Sequence, residues 1–258
     1  MGYAALDLSG KTAVIIGGTS GIGLTLATGL AEAGADVIPT GRRAELVRAA
    51  AEAVQKLGRK SMVSPCDVTI RTSVQAFHDA VRAEFGHVDI LVNCAGITKR
   101  QPTLEMSDGD WNNILEINLT GALRTCQIFG RDMANRGYGR IINIASLSSL
   151  VALYEVAAYS ASKAALASLT KSLAIEWARH GVCVNAIAPG VFRTDLNAPL
   201  LDGTARGQEF LMRTPMRRFG KLNELVGAAV FLASDAASFV TGHLLAVDGG
   251  FLASGVNQ

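Results

Sequence analysis

Short apolar runs rich in β-branched residues alternate along this chain with longer stretches whose apolar positions recur at helical spacing. Thr12–Ile16, Val37–Thr40, Ser61–Cys66, Asp89–Asn93, Arg140–Ala145, Val182–Ile187 and Leu244–Val247 read as strands. Between them, Leu24–Ala33 carries Leu26, Leu30 and Ala33 at helical spacing, and Ala44–Leu57 carries Val47, Ala50, Val54 and Leu57 on one face. Val74–Phe85, Trp111–Ala134, Ala157–Arg179 and Glu224–Ala233 complete the expected helices. Strands such as AVII and DILV are apolar throughout, which fits burial on both faces. The alternation predicts an α/β fold, a doubly wound parallel sheet of about seven strands with helices on both faces. No Pro-, Gly- and Ser-rich linker and no repeat interrupts it, so residues 1–258 are expected to form one domain. The irregular stretch 195–216, with Pro199, Gly203 and Pro215, is expected to be a mobile flap inside that domain.

Composition narrows the class. Apolar residues make up 49% of the chain and charged residues 18%, enough to bury a sizeable core. Twenty-four Lys and Arg against 22 Asp and Glu leave a net charge of +2, without the basic stripe of a nucleic-acid protein. No run approaches the ~18 apolar residues of a membrane helix, and no apolar run follows a basic start at the N-terminus, so no secretory signal is expected. Cys66, Cys94, Cys126 and Cys183 are scattered and form no C-x-x-C pair. They point to a reducing, cytoplasmic setting rather than to zinc or redox chemistry. His78, His87, His180 and His243 read as exposed or structural. Glycine is in surplus, 27 residues of 258.

Part of that surplus lies after the first strand, where Gly17-Gly18-Thr19-Ser20-Gly21-Ile22-Gly23 opens into a helix. Glycines permit a tight turn and close approach of a ligand. The free N–H groups and positive dipole end of the helix suit a phosphate. The spacing is G-x-x-x-G-x-G, not the commoner G-x-G-x-x-G. A carboxylate at the tip of the second strand would hold a ribose 2′-hydroxyl and repel a 2′-phosphate. Asp36 stands at the other end of that strand, which runs out instead into Thr40-Gly41-Arg42-Arg43. Two guanidinium groups there favour NADP, with NAD as the alternative. A solvated helix start is the competing reading, and it sits poorly with the helix dipole.

Tyr159 and Lys163 lie four residues apart, on one face of an expected helix. A nearby cation favours the phenolate and would lower the tyrosine pKa, making it a usable acid or base. Ser146 lies at the end of the strand Ile141–Ala145, where ligands bind in parallel sheets.

Taken together, these features resemble the short-chain dehydrogenase/reductase family over essentially the whole chain. The matching residues are the Gly17–Gly23 loop, Asp67-Val68, Asn93-Cys94-Ala95-Gly96, Asn118, Ser146, Tyr159 and Lys163, Pro189-Gly190 with Thr194, and Val247-Asp248-Gly249-Gly250. The resemblance implies a Rossmann fold and a nicotinamide cofactor. It implies that Tyr159 is the general acid/base, that Ser146 hydrogen-bonds the substrate oxygen, and that Lys163 binds the nicotinamide ribose and depresses the tyrosine pKa. Asn118 would hold a water linking Lys163 to solvent. Gly17, Thr19, Ser20, Gly21, Ile22, Gly23, Asn93, Ala95 and Gly96 would line the cofactor. Asp67 and Val68 would border the adenine, and Pro189, Gly190, Phe192 and Thr194 would meet the carboxamide. Two departures stand out: Ile16 replaces the threonine usual before the first glycine, and Cys94 replaces the second asparagine of Asn-Asn-Ala-Gly. Both are expected to alter local stability rather than chemistry.

Within the family the likeness is strongest to enzymes of the gluconate 5-dehydrogenase and 2-deoxygluconate 3-dehydrogenase kind, in Glu84–Asn93, Arg136–Ser146, Asn185–Gly190 and Ala228–Asp235. It implies an oxidoreductase of a sugar acid or polyol, with Ser146, Tyr159 and Arg100 at the substrate. Arg100 is either a grip for a carboxylate or part of a solvated basic loop. Arg193, Arg206 and Arg213 are weaker candidates. The other readings are a reductase of a 3-oxoacyl thioester or small ketone, and a nucleotide sensor without turnover. The resemblance also implies a homotetramer, with Trp111–Ala134 and Ala157–Arg179 at one interface.

Overall fold

A computed structural model describes residues 3–194, 197–255 and 257. Its elements run β1 (Thr12–Ile16), α1 (Gly21–Glu32), β2 (Asp36–Thr40), α2 (Ala44–Lys56), α3 (Arg71–Phe85), β3 (Ile90–Asn93), α4 (Asp108–Leu115), α5 (Gly121–Arg136), β4 (Gly139–Ile144), α6 (Ala157–Trp177), β5 (Val182–Pro189), α7 (Ala198–Leu201), α8 (Ala205–Arg213), α9 (Val226–Ala233) and β6 (Leu244–Val247). The strands form one parallel sheet in the order β2-β1-β3-β4-β5-β6. Successive side chains of a strand point to opposite faces, and the core divides accordingly. Ala13 and Ile15 of β1 pack with Leu26 and Leu30 of α1 and Leu232 of α9. Val14 and Ile16 face Phe77 of α3, Phe129 and Met133 of α5, and Leu173 of α6. This is the doubly wound α/β architecture the alternation predicted.

Three expectations change in detail. Ser61–Cys66 is not a strand, so among the described residues the sheet has six strands rather than about seven. The segment does run beside β2: Val37 N–H donates to Lys60 O (3.1 Å), Thr40 Oγ1 to Ser64 O (2.6 Å) and Cys66 N–H to Gly41 O (3.0 Å). On that edge Pro39 has no N–H to give, and Pro65 lacks one as well, so no ladder forms.

The long helix expected over Trp111–Ala134 is interrupted. A π-helical turn, Glu116–Thr120, separates α4 from α5 and carries Asn118. Such turns recur at functional sites. The stretch 195–216 begins on Asp195 and Leu196, which lie outside the described residues. Beyond them it forms α7 and α8 rather than irregular chain, and the Thr204 hydroxyl caps α8 by accepting from Gly207 N–H (3.0 Å).

Candidate active site

The glycine turn closes on itself. Gly17 and Gly18 N–H both donate to Thr40 O, at 2.9 and 3.0 Å, which ties the turn to the tip of β2. Gly17 has φ 77°, and a Cβ there would stand 2.6 Å from Ala95 N; one on Gly23 would stand 2.0 Å from Gly17 O. No larger residue fits these two positions without moving backbone. Ser20 begins α1 in an extended conformation, with no side-chain cap and no acid in the first turn. The opening N–H groups of α1 therefore face outward with neither intrahelical acceptor nor cap, which is the chemistry of a phosphate cradle. Thr19 lies against Gly41, and Thr194 lies over Gly21.

Arg42 and Arg43 follow Gly41, exposed and in no ion pair or hydrogen bond through their side chains with the described residues. Asp36, at the opposite end of β2, is occupied by Arg59 (3.3 Å) and the N–H of Lys60 (2.9 Å). Asp36 is thus engaged away from Arg42 and Arg43. Asp67 is near enough to feel Arg42. Burial works against ionisation there, but the Thr69 N–H and hydroxyl (2.9 and 2.7 Å), with the charge of Arg42, hold its carboxyl below the usual range. Val68 packs under the first turn of α5, where a Cβ on Gly121 would come within 2.8 Å. Arg124 of α5 donates to Val68 O (3.1 Å) and pairs with Glu116, linking this wall to the π-helical turn. The residues present thus fit a dinucleotide bearing a 2′-phosphate.

Tyr159, Lys163, Ser146 and Asn118 converge at the carboxyl end of β3 and β4. Lys163 is buried, donates to Ile144 O at 2.7 Å, and stands 5.7 Å from the centre of the Tyr159 ring. Burial lowers its pKa to about 8, with Cys94 acting the other way. Burial also raises the Tyr159 phenol above its ordinary value, and it outweighs the neighbouring Ser146 hydroxyl, which favours the phenolate. The lowered tyrosine pKa expected from sequence is thus reversed among the protein's own groups, because desolvation of the ring exceeds the help it receives. Ser146 accepts from Ser148 N–H (3.2 Å), and the Ser149 hydroxyl donates to Lys163 O (2.8 Å), so the turn after β4 is fastened to α6.

Asn118 is clamped on three sides. Its Oδ1 accepts from Ile97 N–H (2.8 Å), and its Nδ2 donates to Ile97 O (2.9 Å) and Ser162 Oγ (3.0 Å). A Cβ on Gly96 would stand 3.4 Å from Asn118 Oδ1 and 3.5 Å from Lys163 Nζ, so Gly96 keeps a gap between amide and ammonium.

Other expected residues lie at the edge of this constellation. The Asn93 side chain turns into the protein, donating to Asn143 Oδ1 (2.9 Å) and accepting from Thr125 Oγ1 (2.6 Å); its amide serves the interior, not the cleft. Ala95 abuts Gly17, and Ile22 is half-buried against the α1 core. Pro189 ends β5, and Gly190 lies so close to Asp248 that a Cβ would meet its Cα at 2.6 Å. The Phe192 ring is buried against Gly220. Thr194 N–H donates to Asn197 Oδ1 (2.8 Å). Arg100 is in an ion pair with Glu155 (2.7 Å). Sequence reasoning missed Ser162, Arg124 and Glu155. Each acts through a partner distant along the chain, and none carries a periodic or motif signal.

The family model described as "Enoyl-(Acyl carrier protein) reductase" matches residues 17–252. The chain is 42% identical over 248 residues to a gluconate 5-dehydrogenase of Gluconobacter oxydans (strain 621H), covering 96% of this chain and 97% of that one. It is 42% identical over 244 residues to a D-threitol dehydrogenase of Mycolicibacterium smegmatis (strain ATCC 700084 / mc(2)155), covering 95% and 94%. Its fold is similar to the crystal structure of a gluconate 5-dehydrogenase from Burkholderia cenocepacia J2315 in complex with NADP and tartrate. The TM-score is 0.94 at 41% identity, over 97% of this chain and 98% of that one. The turn, the Tyr159–Lys163 pair and these full-length likenesses agree: the chain belongs to the short-chain dehydrogenase/reductase family and is an NAD(P)-dependent dehydrogenase acting on CH–OH groups.

Proposed function

We propose that the chain is an NADP-preferring oxidoreductase of a sugar acid or related polyol. The observation that carries this reading is the placement of half-buried Tyr159, buried Lys163 and Ser146 on the same sheet edge as the uncapped glycine turn. The relatives just described, which include gluconate and threitol dehydrogenases, support the substrate class. The neighbour solved with NADP supports the cofactor.

NADP, when bound, supplies or accepts the hydride. The N–H groups around Gly21–Gly23 hold its pyrophosphate, Thr19 and Ser20 border it, and Arg42 and Arg43 hold the 2′-phosphate. Asp67 and Val68 border the adenine. Asn93, through its backbone, with Ala95 and Gly96, forms the floor. Pro189, Gly190, Phe192 and Thr194 meet the carboxamide, and Lys163 holds the ribose. Ser146 hydrogen-bonds the reacting oxygen, and Tyr159 gives it a proton or takes one from it. Held above its ordinary pKa, Tyr159 is a phenol at neutral pH, the form that protonates a carbonyl oxygen; alcohol oxidation needs the phenolate and gains as pH rises. Asn118 holds a water in the gap over Gly96 that relays this proton by way of Lys163. Arg100 borders the substrate. The α7–α8 segment covers it, the enzyme is a homotetramer as its family resemblance implies, and its four free cysteines suit the cytoplasm.

The test is a substrate panel of gluconate, 5-ketogluconate, threitol, 3-oxoacyl thioesters and simple ketones, each with NADP(H) and NAD(H). Sugar acids or polyols with NADP(H) should give the highest kcat/KM. Tyr159→Phe should cut turnover by ~10²–10⁴-fold while NADP affinity, from fluorescence titration, changes by less than about twofold. Preference for a thioester, or full activity in the phenylalanine variant, overturns the reading.

A further inference from the structure

Three segments meet at Glu155, just before α6, the helix that carries Tyr159. From the loop after β3, Arg100 Nη2 reaches the Glu155 carboxylate at 2.7 Å, and Gln101 N–H donates to the Glu155 carbonyl at 2.9 Å. From α8, Arg206 Nη1 donates to Tyr154 O at 3.3 Å, one residue away. Glu155 itself has φ 62°, and Arg217 is the only other described non-glycine residue with positive φ. An unstrained loop would not place a glutamate there. The contacts on either side of Glu155 hold it in that conformation.

The local charges do not balance. Arg100 and Arg206 are close enough to repel each other, and Glu155, in an ion pair with Arg100 but not with Arg206, is near enough for Arg206 to feel its charge. The other acid felt by Arg206 is Glu209, which pairs with Arg213 at 3.3 Å. Arg206 is half-buried and lies over the Phe210 ring, 5.4 Å from its centre. Burial, then the charge of Arg100, holds its guanidinium below the ordinary value, and Glu155 only partly offsets them. A carboxylate that met both forks at once would serve the two arginines better than Glu155, which is in an ion pair with Arg100 alone among the described residues. Arg100 is 43% exposed, so an incoming carboxylate can reach it.

We propose that Arg206 and Arg100 together form the carboxylate-selecting end of the substrate cleft, with Glu155 as a resident anion that a substrate carboxylate replaces. This rests on the sugar-acid reading above. Arg206 supplies a planar fork from the flap side and Arg100 one from the opposite loop, the donor geometry a carboxylate accepts. A neutral polyol makes no such exchange and leaves Glu155 in place. The two arginines therefore separate sugar acids from polyols, while Glu155 sets how strong an anion must be to enter. α8 thereby acts in selecting the substrate as well as covering it.

The test uses the full-length enzyme with saturating NADP and compares kcat/KM for gluconate with that for sorbitol, its uncharged six-carbon counterpart. Calorimetric titration with tartrate, a dicarboxylate, runs in parallel. Arg206→Met should lower the gluconate-to-sorbitol ratio by about tenfold or more and weaken tartrate binding by a similar factor. Glu155→Gln should raise both. Arg206→Lys, which keeps the charge and loses the fork, should fall between and serves if the methionine variant does not fold. An unchanged ratio and unchanged tartrate affinity in the Arg206 variants overturn the inference, as does a Glu155→Gln variant that discriminates less than wild type, or failure of wild type to bind tartrate. If neither gluconate nor sorbitol is turned over, the sugar-acid reading fails, and the tartrate titration alone decides whether the anion site stands.

Discussion

At the tips of β1 and β2 the carboxyl edge of the sheet is closed by backbone packed on backbone. Thr40 O takes two N–H groups, Gly17 lies against Ala95, and Gly23 leaves no room for a methyl group. Beyond β3, β4 and β5 the same edge carries loops fastened by ion pairs with at least one exposed partner: Lys99–Asp110 at 2.6 Å, Arg100–Glu155 at 2.7 Å, Arg193–Asp202 at 2.6 Å and Arg218–Glu224 at 2.6 Å. The two halves fix geometry by different means. Close backbone packing is rigid and tolerates no added atom. Exposed ion pairs are individually weak, are screened by salt, and can be exchanged for a ligand. The first suits a dinucleotide that every member of a fold family binds alike, the second a substrate that differs between members.

The largest effect should come from breaking the rigid half. In Gly23→Ala the new methyl stands 2.0 Å from Gly17 O, so the turn must open. Overpacking of this kind costs roughly 1–3 kcal/mol or more. NADP affinity should fall by at least about a hundredfold, with a lower melting temperature, measured by titration and thermal denaturation. Binding within threefold of wild type would show that the turn is pliant and that the contrast between the halves is one of degree.

A smaller effect is expected at the one place where charge enters the cofactor half. Arg42→Ala should raise KM for NADP about tenfold to a hundredfold, the size of a lost charge-assisted pair, and change KM for NAD by less than about twofold. Parallel initial-rate measurements with the two cofactors decide it. Equal effects on both would assign Arg42 to the adenine wall beside Asp67 instead of the 2′-phosphate.

What was legible in the sequence follows the same division. The glycine turn, the Tyr159–Lys163 spacing and the buried strands all depend on local sequence, and the structure forms the sheet from those strands with the turn and the pair at its carboxyl edge. The missing third strand depended on Pro39 and Pro65, two prolines whose effect becomes plain only once Val37 is seen to donate outward. The π-helical turn left no mark, because the apolar period of Trp111–Ala134 runs on through it. The clamp on Asn118 requires Ile97 and Ser162, which lie 21 and 44 residues away in sequence. The tyrosine pKa went the other way because Y-x-x-x-K spacing shows a cation but not how deeply both groups are buried. Arg100 was visible as a basic loop residue; its partner Glu155 was not, since nothing in the local pattern brings the loop after β3 to the start of α6.

The smallest effect is expected at Lys99, and it separates position from charge. Lys99 adjoins Arg100 in the same loop and carries the same charge, but its Nζ is 2.6 Å from Asp110 Oδ2, which also accepts from Ser107 Oγ at 2.8 Å. Ser107 in turn caps α4, so this cluster is fastened to a helix start and not to the cleft. Half of the Lys99 side chain is exposed, and the pair is screened. Lys99→Ala should therefore change the gluconate-to-sorbitol ratio of kcat/KM by less than about twofold, whereas Arg206→Met, on another segment but bonded to Tyr154 O beside Glu155, should change it about tenfold. Repeating both in 1 M salt should erase what remains of the Lys99 effect, because the Debye length there is about 3 Å, and leave most of the Arg206 effect, because Arg206 is half-buried over the Phe210 ring and is screened less. If Lys99→Ala lowers the ratio as far as Arg206→Met, the substrate half selects acids by its summed positive field, and Glu155 has no special place in it.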